Sequence, residues 1–278
     1  MIIIAKHTNQ LCNRLFTYLP ILSYALEAGE RVVIMFQYEG YRGFFPNLER
    51  GGVVSSRFYT RSLRGGLRAK TLYAIASVLD KVVHLIIKPG EPVPLRKPLG
   101  VLFGHKYRQA HHDDAYVDKH RDALKHLFDP PADVTRSIDA DFATARTGQE
   151  IVVGVHMRRG DYAHYRDGQF YYPDEVYARH MKAMEEQLSG QPVIFLLCSD
   201  EPICADNFRQ FRTFRMSGGG TLHDLYGLAS CQYIIGAPSS FSEWASLYGE
   251  VPLYHIRQAS KDFTLSDFRI CHRQSEWE

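Results

Sequence analysis

The stretch that most constrains this chain is residues 151–161, Ile-Val-Val-Gly-Val-His-Met-Arg-Arg-Gly-Asp. An apolar, β-branched run that stops abruptly at polar residues reads as a parallel strand buried on both faces. Ligands of open α/β sheets sit outside the carboxyl ends of the strands, so His156, Arg158, Arg159 and Asp161 fall where such a sheet keeps its chemistry. Side chains alternate along a strand, which puts His156 and Arg158 on one face and Met157 and Arg159 on the other. The expectation is that His156 and Arg158 face a ligand while Arg159 pairs with a structural carboxylate, Asp161 being the candidate. The competing reading is a pair of solvated ion pairs, which contribute only ~0–1 kcal/mol each.

The rest of the second half repeats the theme. After strand 151–156 the pattern predicts helix 174–188, strand 193–198, helix 202–209, a short strand near 211–215, helix 221–230, strand 232–236, helix 240–248 and strand 251–255. Such alternation argues a parallel sheet with helices on both faces. Each strand is followed by a polar or glycine-bearing loop: Ser199-Asp200-Glu201, Ser217-Gly218-Gly219-Gly220-Thr221, and Ala237-Pro238-Ser239-Ser240-Phe241-Ser242. Four such loops on one sheet edge make a binding crevice there.

The first half begins with a β-α-β unit: strand 2–6, helix 14–28 closed by Gly29, and strand 31–36. Its first loop carries Asn9 and Asn13, either as a second polar edge or, for Asn13, as a helix N-cap. Between residues 37 and 100 glycines break the pattern, and Arg57, Arg61, Arg64, Arg68 and Lys70 form a basic run without an acidic residue. That run, beside an apolar segment at 71–87, is either a solvated stretch or a contact for an anionic acceptor or membrane surface. Asp80, Lys81 and His84 interrupt the apolar segment, so it fails as a transmembrane helix. A further strand at 99–103 and helices at 113–128 and 132–146 follow. Thr147-Gly148-Gln149-Glu150, where helix gives way to strand, is the expected boundary between lobes 1–148 and 149–278.

Composition narrows the function. Thirty-three Lys and Arg against 31 Asp and Glu leave a net charge of +2, which predicts no nucleic-acid partner. Five scattered cysteines without a Cys-x-x-Cys pair are free-thiol usage and place the chain in the cytoplasm, with peripheral attachment through 57–87 as the one membrane option. Neither Gly-x-Gly-x-x-Gly nor a Walker loop occurs, and the lone Asp-x-Asp, Asp139 to Asp141, lies in a predicted helix, so neither a nucleotide cofactor nor a catalytic metal is expected.

The crevice is suited to an anion. Ser239, Ser240 and Ser242 stand at a predicted helix start, where backbone N–H groups and the helix dipole favour negative charge. Arg158 can hold a phosphate bidentately. Together they suit a diphosphate, while Asp200 and Asp224 offer acceptors for guanine N–H groups or ribose hydroxyls.

His156-Met-Arg-Arg-Gly-Asp161-Tyr162 closely resembles the His-x-Arg-Arg-x-Asp motif of the inverting fucosyltransferases that use GDP-fucose, the α-1,2 enzymes foremost and the α-1,6 and protein O-fucosyl enzymes more distantly. Asn13-Arg-Leu-Phe16 is similar to their N-terminal segment, Cys198-Ser-Asp-Glu201 to their second motif, and Asp224 to Cys231 with Ser239 to Ser242 to their third. The resemblance implies a GT-B-like α/β fold of two Rossmann-type lobes with parallel sheets, an acceptor-side N-terminal lobe and a donor-binding C-terminal one. It implies transfer of fucose from GDP-fucose to a glycan hydroxyl without a metal. Arg158 would hold the β-phosphate, His156 and Asp224 the nucleoside, and Ser239 and Ser240 the diphosphate. Asp167 is the candidate general base, against its reading as the first half of an Asp-Gly turn. A GDP-mannose enzyme and a catalytically silent nucleotide- or glycan-binding protein are the alternatives.

Overall fold

The computed structural model describes residues 2–4, 10–36, 39–50, 52–58, 78 and 115–272. The chain divides into two compact units, Met1–Pro131 and Ala132–Glu278.

In the first unit three parallel strands, β1 (Ile2–Ile4), β2 (Val32–Phe36) and β3 (Val54–Phe58), lie in the order β1-β2-β3. The connection from β1 to β2 contains α1 (Leu11–Ala28), whose Leu15, Tyr18, Ile21, Leu22 and Ala25 are fully buried. Gly29 ends it in the left-handed conformation (φ 64°), the stop read from the sequence. The helix begins earlier than expected, with Gln10 as its N-cap, so Asn13 lies inside the first turn and does not cap it. A short α2 (Pro46–Arg50) follows β2, and the expected helix 113–128 is divided at His120 into α3 (Ala115–Lys119) and α4 (Arg121–Leu127). Lys119 and His120 both reach Glu27 at 2.8 Å, which fastens this pair to the end of α1. Strand 99–103, Asn9, and nearly all of the basic run and apolar segment lie outside the described residues. Among the described residues no helix is long and apolar enough to cross a membrane.

The second unit holds a parallel five-stranded sheet of β4 (Ile151–Met157), β5 (Val193–Ser199), β6 (Thr213–Phe214), β7 (Tyr233–Gly236) and β8 (Leu253–His255), in the order β6-β5-β4-β7-β8. Val152, Val153 and Val155 are fully buried, as a strand covered on both faces requires. On one face α6 (Asp174–Gln187) packs Tyr177, Met181 and Met184 against Val153, Val155 and Met157. The spacing i, i+4, i+7 makes that stripe, and each buried side chain contributes ~1.5–3 kcal/mol. On the other face lie α7 (Gly220–Ala229) and α8 (Ser240–Gly249). There Gly154 permits close packing, because a Cβ would stand 2.5 Å from a Leu228 methyl and 3.2 Å from the Cys231 sulfur, and the Leu228 side chain would have to shift.

The division at Pro131 falls before the boundary suggested by composition. Helix α5 (Ala132–Ala145) belongs to the second unit, with Phe142 edge-on to Phe214 and Asp141 accepting from the Ser217 N–H at 2.9 Å. The Thr147–Glu150 stretch, expected as the boundary between lobes, is a locked turn. The buried Glu150 carboxylate accepts from Thr147 Oγ1 at 2.6 Å, from the Gly148 N–H and from Arg212 at 2.8 Å, and these bonds hold its pKa far below the ordinary carboxylate value. A polar segment looks like a linker until its partners, here 62 residues away, are known.

Candidate functional site

In this sheet β5 and β6 are added on one side of β4, and β7 and β8 on the other. The strand order therefore reverses between β4 and β7, and sheets of this kind bind their ligands outside the carboxyl ends of the strands at such a reversal. The last paired residues are His156 and Gly236. They sit so close that a Cβ on Gly236 would come within 2.5 Å of the His156 carbonyl oxygen. Beyond that pair the two chains diverge into the loops carrying Arg158 and Ser239.

His156 is on the face of β4 opposite Met157, and the strand ends at Met157, so Arg158 and Arg159 stand just beyond it. His156 is 5% exposed and its ring stacks on Phe241 at 5.0 Å. Burial first, then the positive Arg158 and neighbouring His255, push its pKa down to about 3, so the ring is neutral at physiological pH. Its Nδ1 is buried without a hydrogen-bond partner among the described residues.

Arg158 is oriented from two sides, its Nη2 on Asp161 at 2.5 Å and its Nη1 on Asp200 at 2.6 Å, with the Tyr162 ring 5.4 Å from the guanidinium carbon. The other Asp200 oxygen accepts from the Arg159 N–H at 2.8 Å, and Glu201 accepts from the Gly160 N–H at 3.0 Å. Gly160 has φ 47°, and a side chain there would press on Asp200. Asp200, expected as an acceptor for the donor nucleoside, is thus committed to positioning the arginine loop.

Arg159 pairs with Asp174, the first residue of α6, not with Asp161. Both side chains are nearly buried, and Asn207 donates to the second Asp174 oxygen at 2.6 Å. Asp161 instead serves Arg158. The sequence did carry a signal for this exchange: an acid in the first turn of a helix is favoured by the dipole, and Asp174 is such an acid.

After β7, Ser239 caps α8, its hydroxyl accepting from the Phe241 N–H at 3.3 Å. Ser240 follows as the first helical residue. Ser242 is not available to a ligand, because it is fully buried, donates to the Ser239 carbonyl at 3.0 Å and lies 3.3 Å from His255 Nε2. His255, at the end of β8, is also held neutral by burial, its pKa pushed down to about 3. Tyr162, which sequence reasoning left without a role, donates from its hydroxyl to the Pro238 carbonyl at 2.6 Å and ties the arginine loop to the serine loop.

Asp224 lies on α7 against β5, where the Cys198 thiol is 3.9 Å from its carbonyl oxygen. Burial raises its carboxyl to about 6, against the opposing pull of Arg215. Asp167 is exposed, and its backbone is left-handed (φ 56°), as are Arg166 (φ 48°) and Gly168 (φ 77°). The Asp-Gly turn is therefore real, and two non-glycine residues in that region carry strain of roughly 1–2 kcal/mol each. Asn13 belongs to the first unit.

A model of glycosyl transferase family 11 matches residues 100–269, more than half of the 278-residue chain. No curated protein matches the chain. Among solved structures the chain is similar to the fucosyltransferase NodZ from Bradyrhizobium, with 17% identity and a TM-score of 0.53 over 91% of this chain and 95% of that one. It is similar to POFUT1 in complex with GDP-fucose, with 10% identity and a TM-score of 0.57 over 89% and 93% of the two chains. A mutant of Arabidopsis thaliana FUT1 in complex with GDP gives 12% identity and a TM-score of 0.56 over 92% and 70%. At such identities the likeness is one of fold, and it bears out the α/β, GT-B-like class implied by the motifs. Because the family match covers the arginine pair, the Asp200 loop and the serine-capped helix together, the chain belongs to glycosyl transferase family 11.

Proposed function

We propose that this chain transfers L-fucose from GDP-fucose to a hydroxyl of a glycan acceptor, forming an α-1,2 linkage with inversion and without a metal. One observation supports the reading: Arg158 and the Ser239-capped N-terminus of α8 directly follow the last paired residues, His156 and Gly236, at the strand-order reversal of a family 11 fold. Two such groups suit the two phosphates of a nucleoside diphosphate. The structural neighbours NodZ and POFUT1, solved with GDP-fucose, support that class of donor.

In this reading the diphosphate displaces Asp161 from Arg158. Asp161 is 58% exposed, whereas Asp200, at 29%, also accepts from the Arg159 N–H and keeps the guanidinium aimed. Ser239, Ser240 and the free N–H groups of the first turn of α8 take the other phosphate, and His156 and Asp224 contact the nucleoside. The acceptor oxygen attacks the anomeric carbon from the side opposite GDP. As the new C–O bond forms, the bond to the β-phosphate oxygen breaks and its electron pair stays on GDP, stabilised by Arg158. The hydroxyl proton passes to Asp167, an exposed carboxylate on the loop that leaves β4. The first unit supplies the acceptor side, with Asn13 as a donor contact, and free thiols at all five cysteines fit a cytoplasmic setting, with residues 57–87 as a peripheral membrane contact.

Calorimetric titration of GDP and UDP into the wild type and Arg158→Ala tests the donor site. The expected result is GDP binding selective over UDP and weakened at least ~tenfold by the substitution, or ~1.4 kcal/mol. A donor panel then separates GDP-fucose from GDP-mannose. Absence of GDP binding, or indifference to Arg158→Ala, overturns the reading.

A further inference from the structure

We propose that Tyr162 is a positioning residue that fixes the separation between Arg158 and the N-terminus of α8, so that one diphosphate can be held by both at once. The inference rests on the donor reading above. The need for such a residue follows from the sheet. The β4–β7 ladder ends at His156 and Gly236, yet the groups that matter lie two and three residues further on, where no ladder bond sets their distance.

Tyr162 spans that gap. It stands in the single turn of 3₁₀ helix Gly160–Ala163, directly after the arginines, and is 6% exposed. One part of the ring meets the Arg158 guanidinium at 5.4 Å, and Tyr165 stacks on the ring at 5.2 Å and 29°. The hydroxyl donates at 2.6 Å to the carbonyl of Pro238, the residue immediately before Ser239, the cap of α8. A ring alone would fill the core equally well, so the hydroxyl is what makes the residue a strut. It reaches across 76 residues of sequence to the serine loop, while the Asp200 and Glu201 bonds hold the arginine loop from the β5 side.

Binding of GDP and GMP to the wild type, Tyr162→Phe and Tyr162→Leu tests the strut. GDP spans both groups, whereas GMP has a phosphate for only one. In Tyr162→Phe the ring beside Arg158 stays and the bond to Pro238 is lost. GDP affinity is expected to fall about tenfold, the scale of one buried hydrogen bond, while GMP affinity changes by less than about twofold. Tyr162→Leu removes the ring too and is expected to bring GDP down to the level of GMP. Thermal melts check that each variant is folded, and the isosteric Phe variant decides the matter if the Leu variant is not. Parallel loss of GDP and GMP, or an unchanged preference for GDP in Tyr162→Phe, overturns the strut alone. A wild type that binds neither nucleotide, or holds GDP no better than GMP, overturns the donor reading and the strut with it.

Discussion

Arg158 and Arg159 are neighbours in sequence and lie in two different regions of the same unit. Arg158, itself 14% exposed, is paired with two carboxylates that water reaches, Asp161 at 58% and Asp200 at 29% exposure. Arg159 meets Asp174, the first residue of α6, beside Tyr177, with both partners 13% exposed or less. The difference is one of exchangeability. A solvated carboxylate can be replaced by a ligand's phosphate at little loss, whereas a desolvated pair cannot be opened without leaving a charge in low dielectric.

The sharpest way to break this contrast is Arg159→Ala. It strands Asp174 with Asn207 as its remaining partner and is expected to lower unfolding free energy by about 3–5 kcal/mol in denaturant melts. The folded fraction should still bind GDP within about twofold of wild type. Equal damage to GDP binding from both arginine variants would end the division of labour between the two arginines. Arg158→Ala should show the opposite profile, with fucosyl transfer down roughly 10²–10³-fold and stability changed by no more than about 1 kcal/mol. Next in size, Asp167→Asn is expected to lower kcat about 10²-fold with GDP affinity unchanged, as loss of a general base requires. Unchanged kcat would return Asp167 to a plain turn residue.

The smallest effect concerns protons. His156 and His255 titrate at about 3 in the fold against 6.5 when unfolded, so between those values the unfolded chain binds more protons and stability rises with pH. Their contribution is complete above pH 6.5 and is lost on acidification, at up to about 1.4 kcal/mol per pH unit for each ring. Asp224, raised from 3.8 to about 6, has the reverse sign: the folded state keeps its proton, and stability falls as pH rises between those values. Thermal melts from pH 6.5 to 5 should therefore show falling stability, and His255→Gln should flatten the slope. A slope that His255→Gln leaves untouched would place the titration elsewhere.

Much of the second unit was legible in advance because its signals are local. Strands 193–198 and 232–236 and helices 174–188 and 240–248 appear within a residue or two of the expected bounds, since runs of buried β-branched residues and period-3.6 stripes are written in consecutive residues. Short elements were less legible. The expected helix 202–209 is only a 3₁₀ turn at Ala205–Phe208, and the strand near 211–215 shrinks to Thr213–Phe214. Cys198 and Cys231 are the buried core thiols that their apolar neighbours suggested.

By itself the sequence determined the alternation of strands and helices, the edge at which polar loops gather, and the arginine pair at the end of the central strand. These follow from periods of 2 and 3.6 and from chain order. Only the tertiary structure decided the partners: Asp174 and not Asp161 for Arg159, Asp200 as a clamp and not a free acceptor, Ser242 buried against His255, and Glu150 locked to Arg212 within the second unit. The reason is that a carboxylate carries no mark of its partner in a linear sequence. The choice is made by whichever cation packing brings within about 3 Å, and by whether water is there to compete.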